Sequence, residues 1–299
     1  MRQRLYCLDA SIYIFRAYYS RRPQFLSQAG HALDAVAGYL ETLLAFLHRQ
    51  QPQRLVIAFD ESLGRGFREA LYPPYKSRRG LPDAELAYQL QCCRALTEAL
   101  GLACCSDAEF EADDLLASAA AVAQAQGRPV TVLSRDKDLA QILVHSDDQL
   151  QDLSGSALSK AQWQALNGLA TERLADYLAV AGDRADDIPG LSGVGEKTAK
   201  RIFDRYHSLE DIFENIAELE SLPVRGASRL GERFTAQREA LFLYRQLSRL
   251  RVDAPLPPRC RSGVREVVNR DELVRATGGL PATYIDRLLA RFPQALNWQ

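Results

Sequence analysis

No apolar run in this chain of 299 residues approaches the roughly 18 residues that a membrane-spanning helix needs. The charged start followed by Leu5–Leu8 comes nearest to a secretory leader, but Asp9 interrupts it after four residues, so secretion is not expected. Cysteine supplies neither of its usual frameworks. Of the six, Cys92 adjoins Cys93, Cys104 adjoins Cys105, Cys7 and Cys260 stand apart, and no C-x-x-C spacing occurs. Neither a disulfide scaffold nor a zinc site fits, which leaves reduced and mostly buried thiols in the cytosol. The four histidines, His31, His48, His145 and His207, lie outside the acidic segments, so no histidine base is indicated. Charge of one sign is lacking too: 37 basic against 38 acidic residues give −1, which taken alone argues against a nucleic-acid partner. Internal repeats and low-complexity tracts are absent.

What is present is an ordinary globular composition, 47% hydrophobic and 25% charged, in a length that suits one large domain or two intimate ones. The near-zero net charge conceals a pattern. Acids bunch at Glu111/Asp113/Asp114, Asp136/Asp138 and Asp183/Asp186/Asp187, while Asp9 and Asp60 each end an apolar run. If Asp9, Asp60, Glu111, Asp113, Asp114, Asp136, Asp138, Asp183 and Asp186 converge and are neutralised by cations, the remaining 37 bases face 29 acids, a balance of +8. The rest of the molecule is then basic.

Leu5–Leu8, Arg54–Phe59 and Pro129–Ser134 read as strands, separated by helical periodicity over Ala32–Gln50, Ala84–Leu100 and Ala112–Gln126. This alternation predicts an α/β fold with a mainly parallel sheet flanked by helices, and Asp9, Asp60 and Asp136 then fall at the carboxyl ends of strands, the edge where such sheets bind ligands. Between Asp60 and Ala84, glycines, prolines and the basic residues Arg65, Arg68, Lys76, Arg78 and Arg79 predict an exposed segment. From Ser159 onward helices dominate: Ser159–Leu166, Thr171–Ala181, Glu196–Tyr206, Ser208–Leu219 and Gly231–Leu250, then a proline-rich linker over Arg251–Gly263 and a terminal piece with Asn269 and Glu272 capping a helix.

Acids in a first helical turn complement the helix dipole, and Asp136 and Asp138 also suit a helix cap. Four separated acidic sites at strand ends and helix starts are harder to explain that way, because carboxylates packed together repel unless cations neutralise them. Oxygen donors without histidine point to magnesium or manganese, and two such ions suit phosphodiester hydrolysis. Gly190 through Thr198 resembles a P-loop, but Glu196 breaks the required Gly-Lys and no strand precedes it. A hairpin between two helices fits better, with the peptide N–H groups near Gly193 and Gly195 and the adjacent Lys197 gripping a phosphate without reading sequence. The basic segment beside Asp60 would steer a strand inward, and Phe67, Tyr72 and Tyr75 either stack on bases or pack beneath the loop.

Taken in order, Leu8-Asp9, Phe15-Arg16, Ala58-Phe59-Asp60, Phe67-Arg68, Tyr75 to Arg79, Phe110 to Asp114, Arg135 to Leu139, and Gly182-Asp183 through Ala199 resemble the bacterial and phage 5′-nuclease family, which includes flap endonucleases and the 5′→3′ exonuclease domain of DNA polymerase I. The resemblance spans residues 4–250. It implies a PIN-like 5′-nuclease core over 1–158 with a helical arch at about 61–90. It further implies a helix–three-turn–helix subdomain over 159–255, whose DNA-binding helix–hairpin–helix lies at about 183–206, and an extension over 256–299. It carries the nine carboxylates over as metal ligands, Arg16, Lys76 and Arg79 as basic active-site residues, and Gly193 to Gly195 as a duplex-binding turn that in relatives holds potassium through backbone carbonyls. Ala10 stands where glycine commonly follows the first aspartate, and Asp187 where asparagine usually follows Asp186. The implied protein is a freestanding, cytoplasmic, nucleoid-associated monomer. It would cut the 5′ ends or flaps of DNA with magnesium, alongside replication or repair proteins. Two alternatives stand beside it: a ribonuclease of the same fold acting on RNA primers or RNA–DNA hybrids, and a non-cleaving binder of branched DNA.

Overall fold

The computed structural model describes residues 3–20, 25–62, 64–153 and 155–296. Its first part alternates β1 (Leu5–Asp9), α1 (Ala10–Ser20), α2 (Asp34–Gln50), β2 (Leu55–Ala58), α3 (Phe67–Leu71), α4 (Ala84–Ala99), β3 (Ala103–Cys105), α5 (Ala112–Ala125), β4 (Val130–Leu133), β5 (Gln149–Gln151) and β6 (Ala157–Ser159). The strands form one sheet in the order β3-β2-β1-β4-β5-β6, parallel throughout except for β6. β1 lies inside it, with Leu8 level with Ile57 on one side and Leu133 on the other.

Both faces are covered, which is why β2 (LVIA) and β4 (VTVL) are apolar or small throughout and fully buried. Successive residues point to opposite faces and so feed two cores. Cys7 and Val56 pack with α5 and the later helices, whereas Leu8 and Ile57 pack with α1, α2 and α4. The parallel register aligns the carboxyl ends of β1, β2 and β4, so the residues that follow them emerge along one edge.

The helical part comprises α6 (Lys160–Asn167), α7 (Leu174–Ala181), α8 (Glu196–Arg205), α9 (Leu209–Glu214), α10 (Leu230–Ala236), α11 (Arg238–Ser248), α12 (Pro258–Ser262), α13 (Arg270–Ala276) and α14 (Ala282–Arg291). The helix expected over 231–250 is broken at Gln237 into α10 and α11, and the one expected over 208–219 is α9 followed by a 3-10 turn. α7 packs against both α8 and α11.

Two expected segments take a definite form. Within the expected arch, residues 84–90 open α4, whose Leu86 and Gln89 are buried, and the span from Glu61 to Asp83 carries among its described residues the single five-residue helix α3. The stretch from Arg251 to Gly263 is not a free linker. Ala254, Leu256 and Cys260 are buried, with Pro258 opening α12 against β3 and α5. The chain then returns to the core of α1, α2 and α4, where Leu273, Leu280, Ile285 and Leu288 of α13, α14 and their connection cover α2 and α4. Asn269 caps α13 as its sequence predicts, accepting from the N–H groups of Asp271 and Glu272.

Candidate active site

The sheet edge delivers its acids as the register requires. Asp9 ends β1, Asp60 lies two residues beyond β2, Asp136 and Asp138 follow β4, and Glu111 and Asp113 sit at the start of α5. Together with Asp186 from the loop after α7, these seven line one cavity of about 190 Å³. Among the described residues, no three histidine, cysteine, aspartate or glutamate side chains close on a common point as a preformed metal cage. The carboxylates stand along the walls instead.

Their local partners hold them in place without neutralising them all. Asp9 accepts from Ser11 N (3.1 Å) and Ser134 Oγ (3.3 Å), and Asp60 from Ser62 Oγ (2.9 Å). Asp136 accepts the Asp138 N–H at 2.9 Å. One carboxylate oxygen of Asp138, Oδ1, is buried with no hydrogen-bond partner. Burial and then the charge of Asp136 push the Asp9 carboxyl up to about 6, and the same two causes push Asp138 up to about 7. Asp60, Asp113 and Asp186 are likewise raised, chiefly by burial. Glu111 goes the other way: burial opposes ionisation, but Lys76 and Arg68 outweigh it and hold this carboxyl below its ordinary value.

The cations come from the segment after α3. Lys76 Nζ meets Glu111 Oε1 at 2.6 Å, Arg79 meets Asp186 Oδ1 at 2.9 Å, and the Tyr75 hydroxyl donates to both acids at 3.2 Å. This strap roofs a wider space of about 800 Å³ that shares Asp60, Lys76, Arg79 and Glu111 with the acidic cavity and opens past Phe15, Tyr19 and Leu81.

The other sequence-derived residues are sorted by what they touch. Asp114 does not face the cavity; it is fully buried and receives the guanidinium of Arg68 at 2.5 and 2.8 Å and the Arg251 N–H at 2.8 Å. Arg68 is correspondingly 2% exposed, with its Nε donating to Leu247 O, so it is an interior cross-link between α3, α5 and α11 rather than a strand contact. Asp183 stands beside the cavity, paired with Lys137 Nζ at 3.1 Å, and its backbone bridges Ile188. Arg16 is exposed on α1 and does not line the cavity, and Arg65 is exposed on the strap. Arg78 is exposed but bound to Asp187. Of the aromatic residues, Phe67 packs on Phe110, Tyr72 on Tyr244, and Tyr75 is buried, so packing rather than base stacking accounts for all three.

The hairpin forms between α7 and α8. Gly182 and Gly190 adopt φ of +79° and +73°, and a Cβ on Gly190 would lie 2.4 Å from Gly182 N, so the turn closes only with glycine at both positions. Gly193, Gly195 and Lys197 are exposed at its tip, and no side chain caps the α8 N-terminus. Sequence reasoning missed Arg233 on α10, whose guanidinium lies 3.4 Å from Ser192 O and 3.5 Å from Gly193 O. Nothing local signals it, because the two segments are 40 residues apart. Lys137 was also missed, although it stands between Asp136 and Asp138.

With this geometry in hand, comparison with known proteins is informative. Residues 4–170 match the sequence model of the 5'-3' exonuclease N-terminal resolvase-like domain, and residues 169–270 that of the 5'-3' exonuclease C-terminal SAM fold. DNA polymerase I of Rhizobium leguminosarum is 32% identical over 297 residues, which cover 96% of this chain but 28% of the polymerase. A 5'-3' exonuclease of Aquifex aeolicus is 31% identical over 211 residues, covering 71% of this chain and 72% of that protein. The flap endonuclease of bacteriophage T5, solved as a pseudo-enzyme-product complex with DNA and metal ions, has the same fold: TM-score 0.64 at 19% identity, covering 98% of this chain and 99% of that one. The two matched domains, carrying an acid-lined sheet edge and a glycine hairpin, make this chain a nuclease of the 5'-3' exonuclease family.

Proposed function

We propose that this protein hydrolyses DNA phosphodiesters at 5′ ends and flaps, selecting its substrate by shape and using two magnesium ions. The observation that carries the reading is the single cavity lined by seven carboxylates and roofed by Lys76 and Arg79. The donor set fits hard divalent cations: every wall donor is oxygen, burial and crowding raise five of the carboxyls, and Asp138 Oδ1 is buried without a partner. Asp9, Asp60, Glu111, Asp113, Asp136, Asp138 and Asp186 would hold the metals, which supply a water activated for attack and a positive charge for the departing oxygen.

The remaining work falls to side chains of this chain. Lys76 and Arg79 stand between the acids and the 800 Å³ space, so a strand crossing that space presents its phosphate to both. Tyr75 fixes the two acids that these cations touch. On the hairpin, the free N–H groups of α8 with Lys197 and Arg233 would grip the adjoining duplex through its phosphates, which carry no sequence information. The T5 relative binds DNA and metal ions, which supports the same chemistry here.

The deciding experiment presents purified protein with 5′-flap, nicked, blunt and single-stranded DNA and matched RNA flaps, with magnesium and with chelator. Magnesium-dependent cutting of flap and nicked DNA, leaving 5′-phosphate and 3′-hydroxyl ends, is expected. Preference for the RNA flap would move the assignment to a ribonuclease, and tight binding of branched DNA without products would make it a binding protein.

A further inference from the structure

The strap and the hairpin base are joined at one junction. Lys76 N donates to Asp186 O at 3.1 Å, Arg78 N donates to Asp187 Oδ2 at 3.3 Å, the Arg78 guanidinium is ion-paired with Asp187, and Arg78 also reaches Arg184 O at 3.3 Å. Among the described residues, Lys76 and Asp187 are two of the three non-glycine residues with positive φ, at 49° and 57°. Such a backbone is costly for an ordinary side chain, and it persists where the surroundings fix it. Here one strained residue carries the ammonium that meets Glu111, and the other carries the carboxylate that holds the strap.

We propose that Asp187 is a positioning residue: its ion pair with Arg78 latches the strap to the hairpin base and so keeps Lys76 and Arg79 over the acidic cavity while duplex is held at Gly193 to Lys197. The latch joins the two substrate-handling regions through few residues, since Asp187 is six residues from Gly193 and Arg78 is two from Lys76. Its strength suits a reversible catch. Arg78 is 74% exposed, so solvent screens the pair and the catch is weak. The coupling to catalysis rests on the function proposed above; the latch itself does not.

The test is a double-mutant cycle of Asp187→Asn, Arg78→Gln and the pair. Asparagine tolerates the left-handed backbone, so Asp187→Asn removes charge without forcing the turn to refold. Two quantities are read. The first is hydrogen exchange at the Lys76 and Arg79 amides in metal-free, DNA-free protein. The second is the single-turnover cleavage rate of a 5′-flap at saturation beside the duplex Kd in calcium. Each single variant is expected to speed exchange and slow the saturated rate by about two- to fivefold, with Kd unchanged and the double variant no worse than either single. Unchanged exchange, or additive single effects, would overturn the latch. Loss confined to Kd would make Arg78 a phosphate contact instead. If wild type shows the exchange pattern but cuts nothing, the reading of the active site fails and the latch stands; normal cutting with flat exchange sinks the latch alone.

Discussion

Asp113 and Asp114 are neighbours on one helical turn, and they lead opposite lives. Asp114 is buried against the Arg68 guanidinium and also accepts the Arg251 and Glu111 N–H groups. Asp113 faces Asp9, Asp136 and Glu111 across the cavity, and burial with those charges holds its carboxyl well above the ordinary value. In the first place charge is matched inside the chain; in the second it is left for something else to match. Burial alone therefore does not distinguish a structural carboxylate from a functional one, and the difference lies in whether the protein supplies the counterion.

That contrast breaks most visibly at Arg68. Arg68→Ala strands Asp114 and part of Glu111 inside the fold and should cost about 3–5 kcal/mol of stability, read as a fall in the urea midpoint. Loss of cleavage without loss of stability would show that Arg68, which also lines the cavity, acts there rather than through the fold. On the other side, Asp113→Asn or Asp136→Asn should lower magnesium-dependent cleavage by about a hundred- to thousandfold while leaving the metal-free fold intact by circular dichroism. Wild-type cleavage in either variant would contradict the metal assignment. Lys76→Ala should slow single-turnover cleavage by about ten- to a hundredfold with little change in duplex Kd, since its ammonium faces Glu111 and the strand space rather than the hairpin. A change confined to Kd would make Lys76 a strand-capture residue.

Proton linkage sharpens the comparison further. The Asp138 carboxyl is raised by burial and Asp136 to about 7 from 3.8, so its contribution to stability is complete below about pH 4 and is lost as pH rises through 7. In chelator, Asp138→Asn should therefore stabilise the protein at pH 8 by about 1–2 kcal/mol and do nothing at pH 4, while abolishing much of the melting-temperature rise that magnesium gives wild type. Equal melting curves for both proteins at pH 8 would show that the crowding is relieved in another way. The smallest effect is at the hairpin: Lys197→Ala should weaken duplex binding by only a few-fold and lower the salt slope by about one unit.

Much of this was legible beforehand because it depends on order along the chain. β1, β2 and β4 announce themselves as apolar runs, and the acids at their ends follow from the parallel arrangement. β3, β5 and β6 are three residues each, too short for any period to register. α1 escaped because it begins at Ala10 directly after β1 with no turn residue between. Arg68 read as a surface base because its partner, Asp114, is 46 residues away, and only tertiary packing can show that a guanidinium is enclosed. The three prolines before Cys260 read as slack chain, although Pro258 was starting a helix. Local rules found the carboxylates and could not tell which of them the protein would satisfy on its own.

The central place of β1 and the late position of α13 and α14 set a timetable for the nascent polypeptide. β1 can recruit neighbours on either side as they leave the ribosome, yet the part of α2 and α4 that α13 and α14 cover stays bare until residue 291 has emerged. During that interval the growing chain exposes greasy surface, and a holdase would matter most then.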